Sequence, residues 1–386
     1  MPAYLLPISN RHSSDLSGSK IVHWFVAILI IAWFCSCEKT PQPLTSPDGR
    51  ISLHLGRDAG PSFSYSISMD GRTLVEPSSV ELLFQGQSAF GAHTELSLIS
   101  ADSHDETWKP LWGKRERVRN RYNEYTFRLT EKTGEDRYLD WIIRLYDDGV
   151  AIRYHFPEEG GFGTFRLTEE KTRFRLDPDW KCWAVNHGGY YTNQENPYLP
   201  RLTGDIGPEE VIGCPLLVEA GEESWMMLTE ADLTDWAGLY FVAAEDTPGI
   251  VTTSLAPLKR SPGILVEAVS PAFSPWRVVM CGTGPGAFIE SDLIANLNDP
   301  PEYSDVSWIE PGRSAWDRWW SGDYGPDAGF ELGMNTATMK YFIDLADEME
   351  WEYMIVDWTW YGSVFLEGEE YQPDPEADIT TPAEGV

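Results

Sequence analysis

Positive charge is what this sequence has least of. Against 61 Asp and Glu stand 29 Lys and Arg, a formal net charge of −32 at pH 7 over 386 residues. Phosphate backbones are bound by basic surfaces, so nucleic acid is excluded as a partner. Cysteine is scarce too: beyond Cys35 and Cys37 only Cys182, Cys214 and Cys281 remain. An odd number with no CxxC or Cys–His spacing gives neither a disulfide framework nor a zinc site, and buried thiols are the simpler reading. The apolar run near the start, Ile21 to Phe34, is fourteen residues broken only by His23. That is short of the roughly 20 a membrane-spanning helix needs. No internal repeat of fixed period is present either, which excludes solenoids and propellers.

That short run fits a different purpose. Arg11, His12 and Lys20 precede it and the polar segment Cys37 to Pro43 follows, the layout of a signal peptide whose apolar core is about 7 to 15 residues. Phe34-Cys35-Ser36-Cys37 resembles a bacterial lipobox, making Cys37 the candidate lipidation site; cleavage to a freely soluble periplasmic protein is the other reading. The expectation is a signal peptide over 1–36, a polar tether over 37–44 and an exported protein in the periplasm or at the outer membrane, touching membrane only through a lipid anchor. Only Arg11, Lys20 and Asp15 leave with the leader, so the acidity belongs to the folded part.

What the sequence has in quantity is apolar and aromatic surface: 42% hydrophobic residues and 17 Trp. The length exceeds what one core usually supports. Acidity suits a divalent cation, and Trp and Tyr offer flat faces for the CH side of a sugar ring. From Ile51 to Cys281 a period of two dominates. Phe63, Tyr65 and Ile67 alternate before Asp70-Gly71, a hairpin turn; Leu139, Trp141, Ile143 and Leu145 alternate before Asp148-Gly149, and Val150, Ile152, Tyr154 and Phe156 after it. Further strands are expected at 80–84, 123–129, 224–229, 238–243 and 276–281. Many short antiparallel strands across about 230 residues read as one large sandwich.

The pattern then changes. Pro285 to Leu297 reads as one short helix, and the prolines at 300, 301 and 311 mark a connector. The boundaries that follow are a sandwich over 45–298, a linker over 299–313 and a new domain over 314–386. A helix is expected from Asn335 to Met349, with Phe342, Leu345, Ala346 and Met349 as its apolar stripe. Tyr353-Met354-Ile355-Val356-Asp357 then presents a carboxylate at the end of an apolar run, as a buried parallel strand does. A strand, helix, strand unit thus opens a parallel α/β domain. A closed eight-stranded barrel takes roughly 250 residues, so 314–386 holds only its beginning. The acidic, proline-containing stretch from Gly362 to Val386 fits either a fragment or a solvated tail.

Several segments, in one order, carry a resemblance: Ser46-Pro47-Asp48-Gly49, Tyr146 to Tyr154, Thr229 to Asp235, Ser274-Pro275-Trp276-Arg277, Asn296-Leu297-Asn298, Ser307 to Gly312, Ala315-Trp316-Asp317 and Tyr353 to Trp358. Together they resemble the N-terminal half of glycoside hydrolase family 97, exported bacterial enzymes that cleave α-linked glucosides or galactosides. The resemblance implies a mainly β fold, a large antiparallel β-supersandwich followed by an incomplete (β/α)8 barrel, and an oligosaccharide substrate. It implies calcium held by carboxylates partly from the sandwich and mostly from the barrel. Gln194-Glu195-Asn196-Pro197-Tyr198 looks like the loop that contributes a glutamate, so Glu195 is the candidate ligand, with an exposed loop carboxylate as the alternative. The family's catalytic carboxylates come from later barrel strands, and no position here matches them.

Glycoside hydrolysis normally needs two carboxylates flanking the scissile bond, and no catalytic pair is nominated. Asp344, Asp347 and Glu348 fall on the expected helix, where carboxylates are mostly solvated. Asp357, at the C-terminal end of a strand, suits either a substrate contact or a structural hydrogen bond. Trp316 and Trp320, opening the first strand, and Trp358, closing the second, suit sugar stacking; packing between domains is the competing role. His187-Gly188-Gly189 reads as a loop, and Gly282-Thr283-Gly284-Pro285-Gly286, without the Lys-Ser/Thr of a phosphate loop, as a turn. The function expected is the N-terminal portion of a calcium-dependent α-glycosidase. The alternative is a non-catalytic carbohydrate-binding surface lipoprotein.

Overall fold

The computed structural model describes residues 43–57, 63–111, 113–132, 136–245, 247–303, 305–317, 328–357, 360–361, 376–378 and 380–382. Strands β1 (Leu44–Thr45), β2 (Ile51–Arg57), β3 (Phe63–Met69), β4 (Arg72–Ser78) and β5 (Val80–Phe84) come first. The β3–β4 turn is Asp70-Gly71, with φ of 51° and 80°, the left-handed pair that a two-residue hairpin favours.

Strands β6 (Thr94–Trp108), β7 (Val118–Glu131), β8 (Tyr138–Tyr146) and β9 (Gly149–Phe156) then run antiparallel, each beside the next. In β8 the alternating Leu139, Trp141, Ile143 and Leu145 are fully buried, because a period of two puts all four on one face. The turn differs from expectation by one residue. Asp147-Asp148 connects Tyr146 to Gly149, and Gly149 lies in the strand, where an added Cβ would sit 2.7 Å from Leu293 and 2.8 Å from the Val279 carbonyl oxygen. That glycine serves close packing, not the turn.

Strands β10 (Thr164–Arg175), β11 (Lys181–Ala184), β12 (Leu199–Leu202), β13 (Ile212–Gly213), β14 (Leu216–Glu219) and β15 (Trp225–Ala231) follow. Strands β16 (Leu239–Ala243), β17 (Ile250–Leu255), β18 (Val266–Val269), β19 (Ala272–Phe273) and β20 (Trp276–Gly282) complete the all-β part. One sheet has the order β1-β2-β3-β4-β10-β17-β16-β13, with β5 and β18 also on β10; the other runs β12-β11-β14-β15-β20-β9-β8-β7-β6, with β19 on β9. One core joins them: the Trp141 ring of the second sheet lies 5.2 Å from Phe63 and 5.7 Å from Tyr65 of the first. Burying one large apolar side chain of this kind contributes roughly 1.5 to 3 kcal/mol.

A charged cluster also bridges the sheets. Arg277 on β20 donates to both Glu170 oxygens on β10, at 2.6 and 2.8 Å, and to Glu230 Oε2 on β15 at 3.0 Å. Arg277 and Glu170 are fully buried. Burial lowers the guanidinium pKa, but Glu170 outweighs it and holds the group above its ordinary value. The three thiols are inert: burial pushes Cys182 and Cys214 up to about 11 and Cys281 to about 12.

The single helix expected over 285–297 is two short ones, α1 (Gly286–Glu290) and α2 (Leu293–Leu297). Ser291 between them is extended, with ψ of 143°, and its hydroxyl donates to Asp148 Oδ2 at 2.6 Å. The tie to the β8–β9 turn breaks the helix and lets Leu293 and Leu297 pack with Tyr146 and Trp276.

After the connector come β21 (Ser314–Trp316), α3 (Thr336–Glu348) and β22 (Tyr353–Ile355). β21 and β22 pair in parallel, Ser314 with Tyr353 and Trp316 with Ile355. Asn335 caps α3 by accepting the Thr338 N–H at 2.9 Å. The buried face is Thr338, Met339, Phe342 and Ala346, whereas Met349, expected in the stripe, is the C-cap and 49% exposed. Apolar spacing marks which residues share a face, not where along the helix the cover begins and ends. β22 is not the buried strand expected: Ile355 is 53% exposed, because β21 is its one neighbour among the described residues.

Candidate functional site

The segment joining β11 to β12 is a fourteen-residue loop, 185–198, displaying a carboxylate, Glu195, toward its far end. Asn186 donates to Glu210 Oε2 at 2.9 Å, and Glu210 also takes two hydrogen bonds from Arg201, at 2.7 and 2.8 Å, and the Gly207 N–H. The Arg201 guanidinium holds the Glu210 carboxyl below its usual range. Further along, Gln194, at φ of 59°, donates to the Tyr240 hydroxyl at 3.1 Å. His187 meets the edge of the same ring, and burial lowers its pKa, favouring the neutral imidazole. Its ring occupies the space a side chain at Gly213 would need, which accounts for glycine there.

Glu195 sits at the exposed tip of this loop, its Oε2 accepting from Asn193 Nδ2 at 2.7 Å. A solvated carboxylate with free lone pairs fits one position of a calcium shell, which takes 6 to 8 oxygen ligands. Among the described residues no group of three or more His, Cys, Asp or Glu is placed to hold a metal. Glu195 by itself is not a metal site.

The second piece lies where β21 and β22 end. Trp316, the last residue of β21, is 41% exposed. Asp317, next to it, is fully buried, and its Oδ1 accepts the Asp357 N–H at 2.9 Å. The Asp317 carboxylate and the Asp357 backbone thus meet just past the C-terminal ends of neighbouring parallel strands, the end where barrel enzymes place function. Asp344, Asp347 and Glu348 are exposed on α3, as expected. Trp320, Trp358 and Cys37 lie outside the described residues. The structure brings Trp316 and Asp357 to one strand end, and places Glu195 in a separate loop of the sandwich.

Asp317 is the residue that sequence reasoning missed. The signal was available: Ser314-Ala315-Trp316-Asp317 is an apolar strand closing on a carboxylate, the same arrangement that singled out Asp357. The Glu170–Arg277–Glu230 cluster was missed too, although an arginine inside the otherwise apolar Trp276–Cys281 run demands a buried counter-charge.

Residues 44–300 match the family described as glycosyl-hydrolase 97 N-terminal. The chain is 28% identical over 385 residues to a retaining alpha-galactosidase of Bacteroides thetaiotaomicron, covering 92% of this chain and 55% of that protein. A probable retaining alpha-galactosidase of Streptomyces bingchenggensis is 27% identical over 347 residues, covering 89% and 48%. Among solved structures, a glycoside hydrolase family 97 enzyme from Pseudoalteromonas sp. strain K8 in complex with acarbose superposes with a TM-score of 0.74 at 25% identity, covering 88% of this chain and 51% of that one. The chain spans about half the length of the curated relatives it matches.

Proposed function

We propose, from the premise that the chain belongs to glycoside hydrolase family 97, that it supplies the sandwich and the start of the catalytic barrel of an exported, calcium-dependent α-glycosidase acting on oligosaccharides. The observation that carries this reading is the parallel β21–α3–β22 unit that follows the sandwich and its connector, with the Asp317 carboxylate accepting the Asp357 N–H at its C-terminal end. The relatives named as α-galactosidases and the acarbose complex support an α-linked sugar as substrate.

In this reading Trp316, with Trp320 and Trp358, lays an aromatic face against a sugar ring. Asp317 fixes the Asp357 backbone, and the Asp357 carboxylate accepts from sugar hydroxyls. The bond-breaking carboxylates come from later barrel strands. Glu195 provides one calcium ligand from the sandwich side. Calcium, when bound, would supply a fixed positive charge. The β-sandwich braces the barrel and shapes the cleft. Residues 1–36 act as export leader and Cys37 as lipid anchor, placing the protein in the periplasm or at the outer membrane.

The test is release of 4-nitrophenol from its α-glucoside and α-galactoside by the full-length product of the reading frame, with and without chelator. Expected is hydrolysis of one of the two, lost on chelation and restored by calcium, with Glu195→Gln raising the calcium requirement at least about tenfold. Hydrolysis indifferent to chelator overturns the metal assignment. No release from either substrate, together with retained sugar binding, favours the non-catalytic surface lipoprotein.

A further inference from the structure

The loop that carries Glu195 leaves the second sheet, yet it is tied down by the first. Tyr240 lies on β16, its backbone paired with Gly213 of β13 on one side and Ser254 of β17 on the other, and it is buried. A side chain rooted in a strand held at both edges is a rigid point of attachment. Three residues of the loop meet it there. The Tyr190 and His187 rings stand nearly perpendicular to the Tyr240 ring, at 5.1 and 6.2 Å, and Gln194 Nε2 donates to the Tyr240 hydroxyl at 3.1 Å. The Tyr190 hydroxyl also bonds Ser254, the register partner of Tyr240, at 2.6 Å.

Of these contacts the one from Gln194 is adjacent to Glu195. Gln194 has φ of 59°, the left-handed region that glycine and asparagine tolerate and that other residues hold only where their surroundings impose it. Two hydrogen bonds impose it here: the Gln194 N–H donates to Thr192 Oγ1 at 3.0 Å, and the side chain is held by Tyr240. The next residue inherits the direction. Glu195 donates its N–H to Asn193 Oδ1 at 3.3 Å and its Oε2 accepts from Asn193 Nδ2 at 2.7 Å, so its carboxylate is referred to the turn that Gln194 closes. Residues 193–197 are all exposed. Burial does little to hold them, and the polar tie to Tyr240 decides their conformation.

We propose that Tyr240 is a positioning residue for Glu195: acting through Gln194, it fixes the turn on which the carboxylate is presented and thereby raises the affinity of the full-length enzyme for calcium. The calcium half rests on the proposed reading of Glu195 as a ligand; the positioning half does not.

The test is a double-mutant cycle of Tyr240→Phe and Gln194→Met in the full-length product of the reading frame, read twice: by amide hydrogen exchange over residues 193–196 without calcium, and by calcium titration against a fluorescent chelator. Tyr240→Phe keeps the ring and its contacts with Tyr190 and His187, and Gln194→Met keeps the side-chain length, so each removes one partner of one hydrogen bond and leaves the fold. Expected is exchange faster by about three- to tenfold in either single variant, the worth of one hydrogen bond, with the calcium Kd raised by a similar factor. The double variant is expected to show no further change, because the two residues act as one. A role of Tyr240 independent of Gln194 would instead multiply the two effects. Unchanged exchange in Tyr240→Phe, or multiplied effects in the double variant, overturns the proposal. Faster exchange with an unchanged calcium Kd overturns the step from the turn to Glu195. Full-length protein that binds no calcium, with the exchange cycle as expected, overturns the calcium reading and upholds the positioning of the loop.

Discussion

Strands β20 and β22 are both short and apolar, yet their fates differ. All seven residues of β20 are buried, while Tyr353 and Ile355 of β22 are exposed. β20 lies between β15 and β9, with the core on one face and α2 packed on the other. β22 has β21 on one edge and α3 beside it. A parallel strand is stable when neighbours cover both its edges and helices both its faces. The sandwich meets that kind of demand from its own residues. The α/β unit offers an apolar surface, Tyr353, Ile355 and Val356, that further strands and helices of a parallel sheet would cover. The contrast predicts that stability is shared across the sandwich and local in the α/β unit.

The strongest way to break this comparison is Arg277→Met. The substitution leaves the buried Glu170 and the partly exposed Glu230 without their counter-charge, and losing one partner of such a network costs about 3 to 5 kcal/mol. Expected is a lower midpoint of denaturant unfolding for the whole sandwich, with the same shift by Trp fluorescence and far-UV circular dichroism. A loss below about 1 kcal/mol would mean that water reaches the cluster and that the two sheets are not locked through it.

Asp317→Ala tests the other half. The Asp357 N–H loses its acceptor, a local cost of about 1 to 3 kcal/mol. Hydrogen exchange is expected to accelerate at Asp357 and along the β21–β22 ladder and to stay unchanged in β8, β9 and β20. Acceleration spread evenly over both regions would show one cooperative unit and sink the distinction.

How much of this was legible follows the same division. The β3–β4 and β8–β9 pairs were readable because each buries one face, and a period of two then leaves a mark on the sequence. Gly149 was misread as a turn residue because its reason, Leu293 and the Val279 carbonyl, lies well over a hundred residues away. The break between α1 and α2 was hidden for the same cause: Ser291 answers to Asp148. The stripe of α3 was displaced because spacing marks which residues share a face but not where along the helix the cover begins. Asp357 was singled out by its place at a strand end, and Asp317 obeyed the same rule unnoticed.

The smallest expected effect is electrostatic and lies at the loop carrying Glu195. Glu210 is held below its ordinary range by Arg201, with further hydrogen bonds from Gly207 and Asn186. A carboxylate depressed in the folded state adds stability above its unfolded pKa, roughly 4.3, and loses it as pH falls through the lower folded value. Glu210→Gln is therefore expected to cost about 1 kcal/mol or less at pH 7, as a partly exposed pair does, and the difference from the unsubstituted protein is expected to vanish on acidification below pH 4. The loop should also loosen at neutral pH, read as faster exchange of the Gly188 and Gln194 amides in the variant. A difference that persists unchanged at pH 3 would assign the effect to packing, leaving the Arg201–Glu210 pair without a part in holding Glu195 in place.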